Sequence, residues 1–187
     1  MRRWLAGCFL RLSGWEPEGV RPTEARFVLI AAPHTSNWDM LFLFAMAGFF
    51  DVKIRWMGKH VLFHWPLGWF LRKLGGVPVV RHKAGNMVEQ MAQLLRDADS
   101  LALVIPVEGT RGYVPHWKSG FYHIACAAGV PIVMSYLDYA RKCGGFGPAL
   151  LPTGDLRSDM DEIREFYAGK VGRHPDQFGA VRLKEEM

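Results

Sequence analysis

The sequence predicts one α/β domain in which helices flank a mostly parallel, mixed central sheet. Short apolar runs of strand length alternate with runs of helical periodicity, which is the order of a parallel sheet with crossover helices. The length of 187 residues suffices for one substantial core and would be cramped for two. Polar clusters also follow several apolar runs, and in a parallel sheet such clusters meet at the carboxyl edge.

The first predicted element is a short basic amphipathic helix within an N-terminal segment, residues 1–25. Residues 1–13 contain three arginines and no acid, together with Trp4. At helical spacing, four side chains share a face: Leu5, Cys8, Phe9 and Leu12. This pattern is typical of a helix that lies on an anionic membrane surface, and equally of a helix docked on its own domain. Residues 14–23, which contain two prolines and two glycines, are predicted to be a connection.

The main domain is predicted over residues 26–170, with strands and helices in alternation. Five apolar runs are predicted as strands: 27–32, 53–57, 77–80, 101–105 and 131–137. Helices are predicted at 37–50, 86–97, 119–128 (closed by Gly129) and 155–168, with a short helix that starts at Pro66 and stops at Gly75 and Gly76. Residues 171–187 are predicted to be a loosely held C-terminal tail.

Residues 60–74 combine aromatic and basic side chains. Four aromatic residues are bordered by two cations: Phe63, Trp65, Trp69, Phe70, Arg72 and Lys73. Such a surface suits lipid headgroups or the wall of an acyl-chain slot. An ordinary hydrophobic core would use the same aromatic residues, so that alternative stays open.

The composition favours an anionic partner. Half of the residues are hydrophobic, 13% are aromatic, and the net charge is +5. A phosphate ester, an anionic membrane and a nucleic acid all fit this balance, as does ordinary solubility charge. The chain has no stacking-platform or helix-turn-helix pattern, so we expect no nucleic-acid partner.

The cysteines and histidines argue against disulfides and metals. Cys8, Cys126 and Cys143 form no C-x-x-C pair, which suits a reducing compartment. His60 and His64 come nearest to a ligand spacing, but no carboxylate accompanies them, so no metal is predicted.

No apolar run approaches the roughly 20 residues that span a bilayer. We therefore expect a cytoplasmic protein with peripheral contact to an anionic membrane.

The segment from His34 to Asp39 is the first candidate for chemistry. It lies where a predicted strand passes into a predicted helix, so the two side chains can meet. An aspartate can hold one imidazole nitrogen and leave the other free to act as a base. Ser36 and Asp39 also have the spacing of a capping box, and His34 alone would suit a satisfied interior histidine. The segment by itself does not decide between these interpretations.

Two further polar clusters follow predicted strands. Arg81 follows residues 77–80, and the sequence Glu108-Gly109-Thr110-Arg111 follows residues 101–105. A guanidinium can bind two phosphate oxygens at once, and glycine lets the backbone approach a ligand closely. Each cluster alone also has an ordinary explanation, as a solvated arginine or a loop with an internal ion pair.

In this order, the clusters resemble the lysophosphatidate (1-acylglycerol-3-phosphate) acyltransferases and their glycerol-phosphate and lysophospholipid relatives. The resemblance covers about residues 31–139 and depends on four motifs. They are His34 to Asp39, Gly76 to Arg81, Glu108 to Arg111 followed by Trp117-Lys118-Ser119-Gly120, and Val130 to Val133. The His-x4-Asp box occurs widely by chance, but together with Glu-Gly-Thr-Arg it is a specific signal.

The resemblance implies an acyltransferase domain that moves an acyl group from a thioester to the hydroxyl of a lysolipid. His34 would be the base and Asp39 its orienting carboxylate. Arg81 and Arg111 would bind the acceptor phosphate, with Lys118 on that phosphate or on one of the donor. Glu108 would position the acceptor or hold an arginine.

The co-substrate implied is acyl-CoA or acyl carrier protein, without any other cofactor and without an acyl-enzyme on cysteine. A different lysolipid acceptor and a non-catalytic lipid-binding protein remain the alternatives. The intact His34/Asp39 pair argues against the second, since binding alone needs no base.

Overall fold

The computed structural model describes residues 2–79 and 84–187. Within them, seven strands form one sheet: β1 Glu16–Gly19, β2 Arg26–Ala31, β3 Ile54–Lys59, β4 Gly76–Val79, β5 Leu101–Pro106, β6 Ile132–Asp138 and β7 Cys143–Leu150. The strand order is β1-β7-β6-β2-β5-β3-β4, and every neighbouring pair is parallel except β6–β7. The predicted mostly parallel, mixed sheet is confirmed.

Helices cover both faces of this sheet. They are α1 Arg2–Leu12, α2 Trp38–Phe49, α3 Leu67–Lys73, α4 Ala84–Asp97, α5 Gly120–Ala128 and α6 Leu156–Tyr167. On one face, α4, α5 and α6 pack against alternate side chains of the central strands, such as Ile30 and Leu103. On the other face, α2 covers the opposite set, such as Leu29 and Val104. This alternation follows from the period of two along a strand, because both sheet faces are buried.

The central strand β2 lies where the strand order reverses. From β2 the chain builds β3, β4 and β5 on one side, then places β6 on the other side. Ligands of open α/β sheets bind at the carboxyl ends beside such a reversal. The residues after β2, β5 and β6 therefore meet at one edge, although they are far apart in sequence.

The N-terminal helix is docked on α2. Leu10 of α1 is buried in an aromatic cluster with Trp15 and Phe42. The predicted apolar face is only partly correct, because Leu5 and Leu12 are exposed. The side of α1 that carries Leu5 and Leu12 therefore stays exposed after the helix has docked.

Strand β1 corrects the predicted connection at residues 14–23. Its sequence Glu-Pro-Glu-Gly has low strand propensity, so no local pattern indicates it. It forms because its backbone pairs in parallel with β7. Glu18 adds two side-chain contacts, since it accepts a hydrogen bond from Tyr136 Oη at 2.6 Å and forms an ion pair with Arg141. Strand β7, which has three glycines and a proline, was not predicted either.

The expectation of a loosely held tail at residues 171–187 is wrong. Leu183 is fully buried, and its backbone bridges to Trp117. Trp117 N donates to Arg182 O at 2.8 Å, and Tyr139 N donates to Val171 O at 2.9 Å. Residues 171–187 therefore run across the carboxyl edge of the sheet and pack on it.

The aromatic segment at residues 60–74 divides between core and surface. Phe63 is buried beside Trp56, whereas Trp65, Trp69 and Phe70 are exposed. Lys73 Nζ lies 3.9 Å from the centre of the Trp69 ring. No helix in the described ranges 2–79 and 84–187 has both the length and the apolarity needed to cross a bilayer.

Candidate active site

His34 and Asp39 meet as their spacing predicts. His34 lies in the loop after β2, and Asp39 lies in the first turn of α2. His34 Nδ1 is 3.2 Å from Asp39 Oδ2. The imidazole is 21% exposed and the carboxylate 6%. A carboxylate can only accept, so Nδ1 carries a proton, and Nε2 is the ring nitrogen that makes no bond to Asp39.

Asp39 also organises the backbone of the loop. Its Oδ2 accepts from the backbone N–H groups of Thr35 and Ser36, each at 2.9 Å. No side-chain hydrogen bond caps α2 at its N-cap residue, Asn37, so Asp39 holds the loop backbone and the histidine ring together instead of closing the capping box that its spacing from Ser36 suggests. Tyr139 Oη donates to the other oxygen, Oδ1, at 2.7 Å.

These donors keep Asp39 ionised. Burial by itself would favour the neutral acid, but the hydrogen bonds from His34, Tyr139 and Ser36 outweigh it. The pKa of Asp39 is therefore below its ordinary value. Burial and the hydrogen bond to Asp39 raise the pKa of the Tyr139 hydroxyl, so this hydroxyl stays protonated and can donate.

Glu108 contacts His34 through the backbone. Its Oε1 accepts the backbone N–H of His34 at 2.8 Å, and the residue is 1% exposed. Within the described residues, its Oε2 has no hydrogen-bond partner, and no arginine forms an ion pair with it. Burial raises the pKa of Glu108 above its ordinary value. Such burial favours a supporting role over direct contact with an acceptor.

The residues after Glu108 form an exposed loop beside the histidine. Gly109 has φ +71°, in the left-handed region that favours glycine. Thr110 and Arg111 are exposed, and Arg111 Nη1 donates to Asn37 Oδ1. Lys118 is exposed, and its backbone N–H donates to Val107 O at 2.8 Å. Arg111 thus adjoins the His34–Asp39 loop, whereas Arg81 lies outside the described residues.

A small apolar cavity of about 70 Å³ lies beneath His34. Its wall includes Leu43 and Phe44 from α2 and Trp56 from β3. A larger groove of about 630 Å³ between α1, α2 and α3 shares Phe44 with this cavity. The imidazole therefore has the apolar cavity on one side and, near the dyad, the exposed cations Arg111 and Lys118, here called the cationic rim.

Sequence reasoning missed two residues at this edge. Tyr139 follows β6 just as His34 follows β2, so the rule that located the other clusters also applies to it. Arg173 lies in the segment expected to be loose, and no local pattern indicates it. In the described part of the chain, no three His, Cys, Asp or Glu residues are grouped to hold a metal ion.

Comparison with known families shows the class of protein, an acyl-transfer enzyme. Residues 17–137 match the Acyltransferase family, described as "Acyltransferase". This match covers well over half of the sequence, so the chain belongs to the Acyltransferase family. The resemblance found in the sequence is thereby confirmed.

A solved structure has the same fold. The crystal structure of the 1-acyl-sn-glycerophosphate (LPA) acyltransferase PlsC from Thermotoga maritima matches with a TM-score of 0.63. The alignment covers 92% of this chain and 79% of that chain at 16% identity. At this identity the likeness establishes the shared fold. No curated protein compared with the chain matches it significantly.

Proposed function

We propose that this acyltransferase moves a fatty acyl group from a thioester to the free hydroxyl of lysophosphatidate or a closely related lysolipid. His34 Nε2 takes the proton of the acceptor hydroxyl as its oxygen attacks the thioester carbonyl carbon. The tetrahedral intermediate then expels the thiolate, which receives the proton from His34. No bond to the protein forms, so the three free thiols of the chain are not required.

The observation that carries this proposal is the 3.2 Å contact between His34 Nδ1 and Asp39 Oδ2 at the rim of the apolar cavity. Asp39 fixes the tautomer that leaves Nε2 basic, and it stabilises the imidazolium formed during attack. The cavity lies where the carbonyl and the first methylene groups of an acyl chain would enter. We assign the rest of the acyl chain to the larger groove, which shares Phe44 with the cavity.

The cationic rim supports an anionic acceptor. Arg111 donates a hydrogen bond to Asn37 in the loop between His34 and Asp39, here called the dyad loop. Lys118 lies further along the segment that follows β5, and its backbone is bonded to Val107. We assign the acceptor phosphate to Arg111, with Lys118 on that phosphate or on one of the donor. Arg81 joins them through the family resemblance alone. The donor thioester is acyl-CoA or acyl carrier protein, and we propose no other cofactor.

We further propose that the enzyme works at the cytoplasmic membrane surface, where its lysolipid acceptor is found. Trp65 and Trp69 are 88% and 62% exposed, and Trp4 is 70% exposed. Exposed tryptophans beside cations such as Lys73 suit the headgroup layer of an anionic membrane. This contact is peripheral.

The test measures thiol release from a long-chain acyl-CoA, with and without lysophosphatidate, for wild type and His34→Ala. We expect release that needs the acceptor and falls about 10²–10⁴-fold in the variant, because a positioned base contributes that range. His123→Ala is the control, since His123 is an exposed histidine on α5. Release that ignores the acceptor and survives His34→Ala would refute the proposal. If lysophosphatidate alone fails as acceptor, other lysolipids and carrier-protein donors identify the alternative substrate.

A further inference from the structure

On both sides of Arg173, the C-terminal segment is hydrogen-bonded to residues that follow the carboxyl ends of the central strands, after β6 on one side and after β2 on the other. Before it, Val171 O accepts the backbone N–H of Tyr139 at 2.9 Å. After it, His174 N donates to Thr35 Oγ1 at 3.1 Å. The backbone of Arg173 is therefore fixed relative to the residues around His34.

Gly172 brings this segment unusually close to the loop. A Cβ at this position would lie 2.8 Å from Thr35 Oγ1 and 3.0 Å from Pro33 Cβ. Any larger residue would have to push the segment away. The close approach thus places the neighbouring Arg173 side chain beside the first turn of α2.

The Arg173 guanidinium lies over two aromatic rings at the site. It is 5.8 Å from the Trp38 ring centre and 6.0 Å from the Tyr139 ring centre. A guanidinium held over ring faces keeps the donors at its edge available for oxygen ligands. Across residues 2–79 and 84–187, no carboxylate lies within ion-pair distance of Arg173.

Two arginines from distant parts of the chain therefore flank the start of α2. Arg111 contacts Asn37, and Arg173 contacts Trp38, the next residue. The N-terminus of this 12-residue helix adds its partial positive charge to the two guanidinium groups. A doubly charged phosphomonoester is the ligand class that best matches two cations and a helix N-terminus.

We propose that Arg173 is a substrate-binding residue that holds the phosphomonoester of the lysolipid acceptor together with Arg111. This inference rests on the proposed acyl transfer. We assign this phosphate to the acceptor and not to the donor because of the number of bonds between each phosphate and the reacting centre. In lysophosphatidate, only two carbons and an ester oxygen separate the reacting hydroxyl from phosphorus. In acyl-CoA, the whole pantetheine arm separates the thioester from the phosphates.

The test compares Arg173→Gln and Arg173→Lys with wild type. For Arg173→Gln we expect the KM for lysophosphatidate to rise about 10- to 100-fold, the effect of losing a charge-assisted hydrogen bond. The KM for the acyl donor and the stability of the fold should stay unchanged. Arg173→Lys should recover part of the loss, because it keeps the charge without the bidentate geometry.

Two controls separate phosphate binding from support of the aromatic rings. Lys170→Gln removes a matched cation, which lies 4.6 Å from the Tyr136 ring centre in the same part of the chain, and should leave the KM for lysophosphatidate unchanged. With monoacylglycerol, an acceptor without phosphate, wild type and Arg173→Gln should react equally. An equal loss with both acceptors, or a rise confined to the donor KM, would overturn the assignment.

A binding measurement keeps this inference separate from the proposed reaction. Calorimetric titration of lysophosphatidate into His34→Ala, with and without Arg173→Gln, needs no turnover. Weaker binding with Arg173→Gln supports the phosphate site even if wild type transfers no acyl group. Equal binding by the two variants refutes the site even if the transfer reaction is established.

Discussion

Two buried carboxylates contact His34, Asp39 from the first turn of α2 and Glu108 from the loop after β5, and their hydrogen-bonding surroundings differ. Asp39 accepts hydrogen bonds at both oxygens, from the His34 side chain, two backbone N–H groups and the Tyr139 hydroxyl. Glu108 accepts the His34 backbone N–H at one oxygen, and its other oxygen has no partner among the described residues. The pKa is lowered at Asp39 and raised at Glu108.

This difference shows that surroundings, rather than residue type, separate the two roles. Donors stabilise the charged form, so Asp39 is suited to hold an imidazole and to stabilise an imidazolium. Burial without enough donors favours the neutral form, so Glu108 is suited to anchor a backbone. His34 is consequently held twice, by its ring through Asp39 and by its main chain through Glu108.

The largest expected effect comes from Asp39→Asn. The amide loses the negative charge that fixes the His34 tautomer, so we expect kcat to fall by at least about 10²-fold, within the range of general-base effects. The measurement is acceptor-dependent thiol release, with circular dichroism to verify the fold.

Asp138→Asn is the matched control for this change. Asp138 is 2% exposed at the end of the neighbouring strand β6, and it accepts from backbone N–H groups of Ala140 and Arg141. It should retain activity. Equal losses in the two variants would mean that Asp39 only holds the loop backbone.

A smaller effect is expected at Glu108, where two substitutions sharpen the comparison. Glu108→Ala leaves the buried His34 N–H without an acceptor, which costs about 1–3 kcal/mol of unfolding free energy. It should also lower kcat by roughly the same free energy, about tenfold to a hundredfold, because His34 is displaced. Glu108→Gln keeps the accepting oxygen and should keep most activity. A large loss of activity in Glu108→Gln would instead place the carboxylate in contact with the acceptor.

The stability of Glu108→Gln should also depend on pH differently from that of wild type. Since the folded-state pKa of Glu108 is raised, the folded protein binds this proton more tightly than the unfolded chain. The contribution of Glu108 to stability then falls as pH rises from the unfolded value of about 4.3 towards the folded pKa, and the glutamine variant lacks this fall. Urea unfolding from pH 4 to 7 measures the difference. A constant difference across this range would contradict the raised pKa.

The smallest effect is expected for Tyr139→Phe, which removes one of the donors to Asp39. We expect kcat to fall about threefold to tenfold, the effect of one hydrogen bond, with little change in either KM. Tyr122→Phe is the control, because it removes a similar 2.7 Å tyrosine–carboxylate bond, to Asp159, elsewhere in the core. If both variants lose equal stability but only Tyr139→Phe loses turnover, Tyr139 positions the dyad. Equal turnover in both would make the Tyr139 bond purely structural.

The sequence by itself determined the alternating elements, the family and the meeting of His34 with Asp39. These features depend on local geometry, because periodicity sets each element and His34 and Asp39 are only five positions apart in the sequence. The same local rules correctly predicted that α5 ends before Gly129, which has φ +65°. They failed at β1, whose pairing partner β7 lies more than a hundred residues later.

Only the tertiary structure decided what surrounds the dyad. The bonds of Glu108 to His34, Tyr139 to Asp39 and His174 to Thr35 span 74, 100 and 139 residues of sequence. Such contacts depend on strand order, which places β5 and β6 on either side of β2, and on the path of the C-terminal segment across their ends. A one-dimensional pattern contains neither quantity, because backbone pairing and packing between distant segments fix both. For this reason Arg173 looked like part of a loose tail in the sequence and lies beside the dyad in the fold.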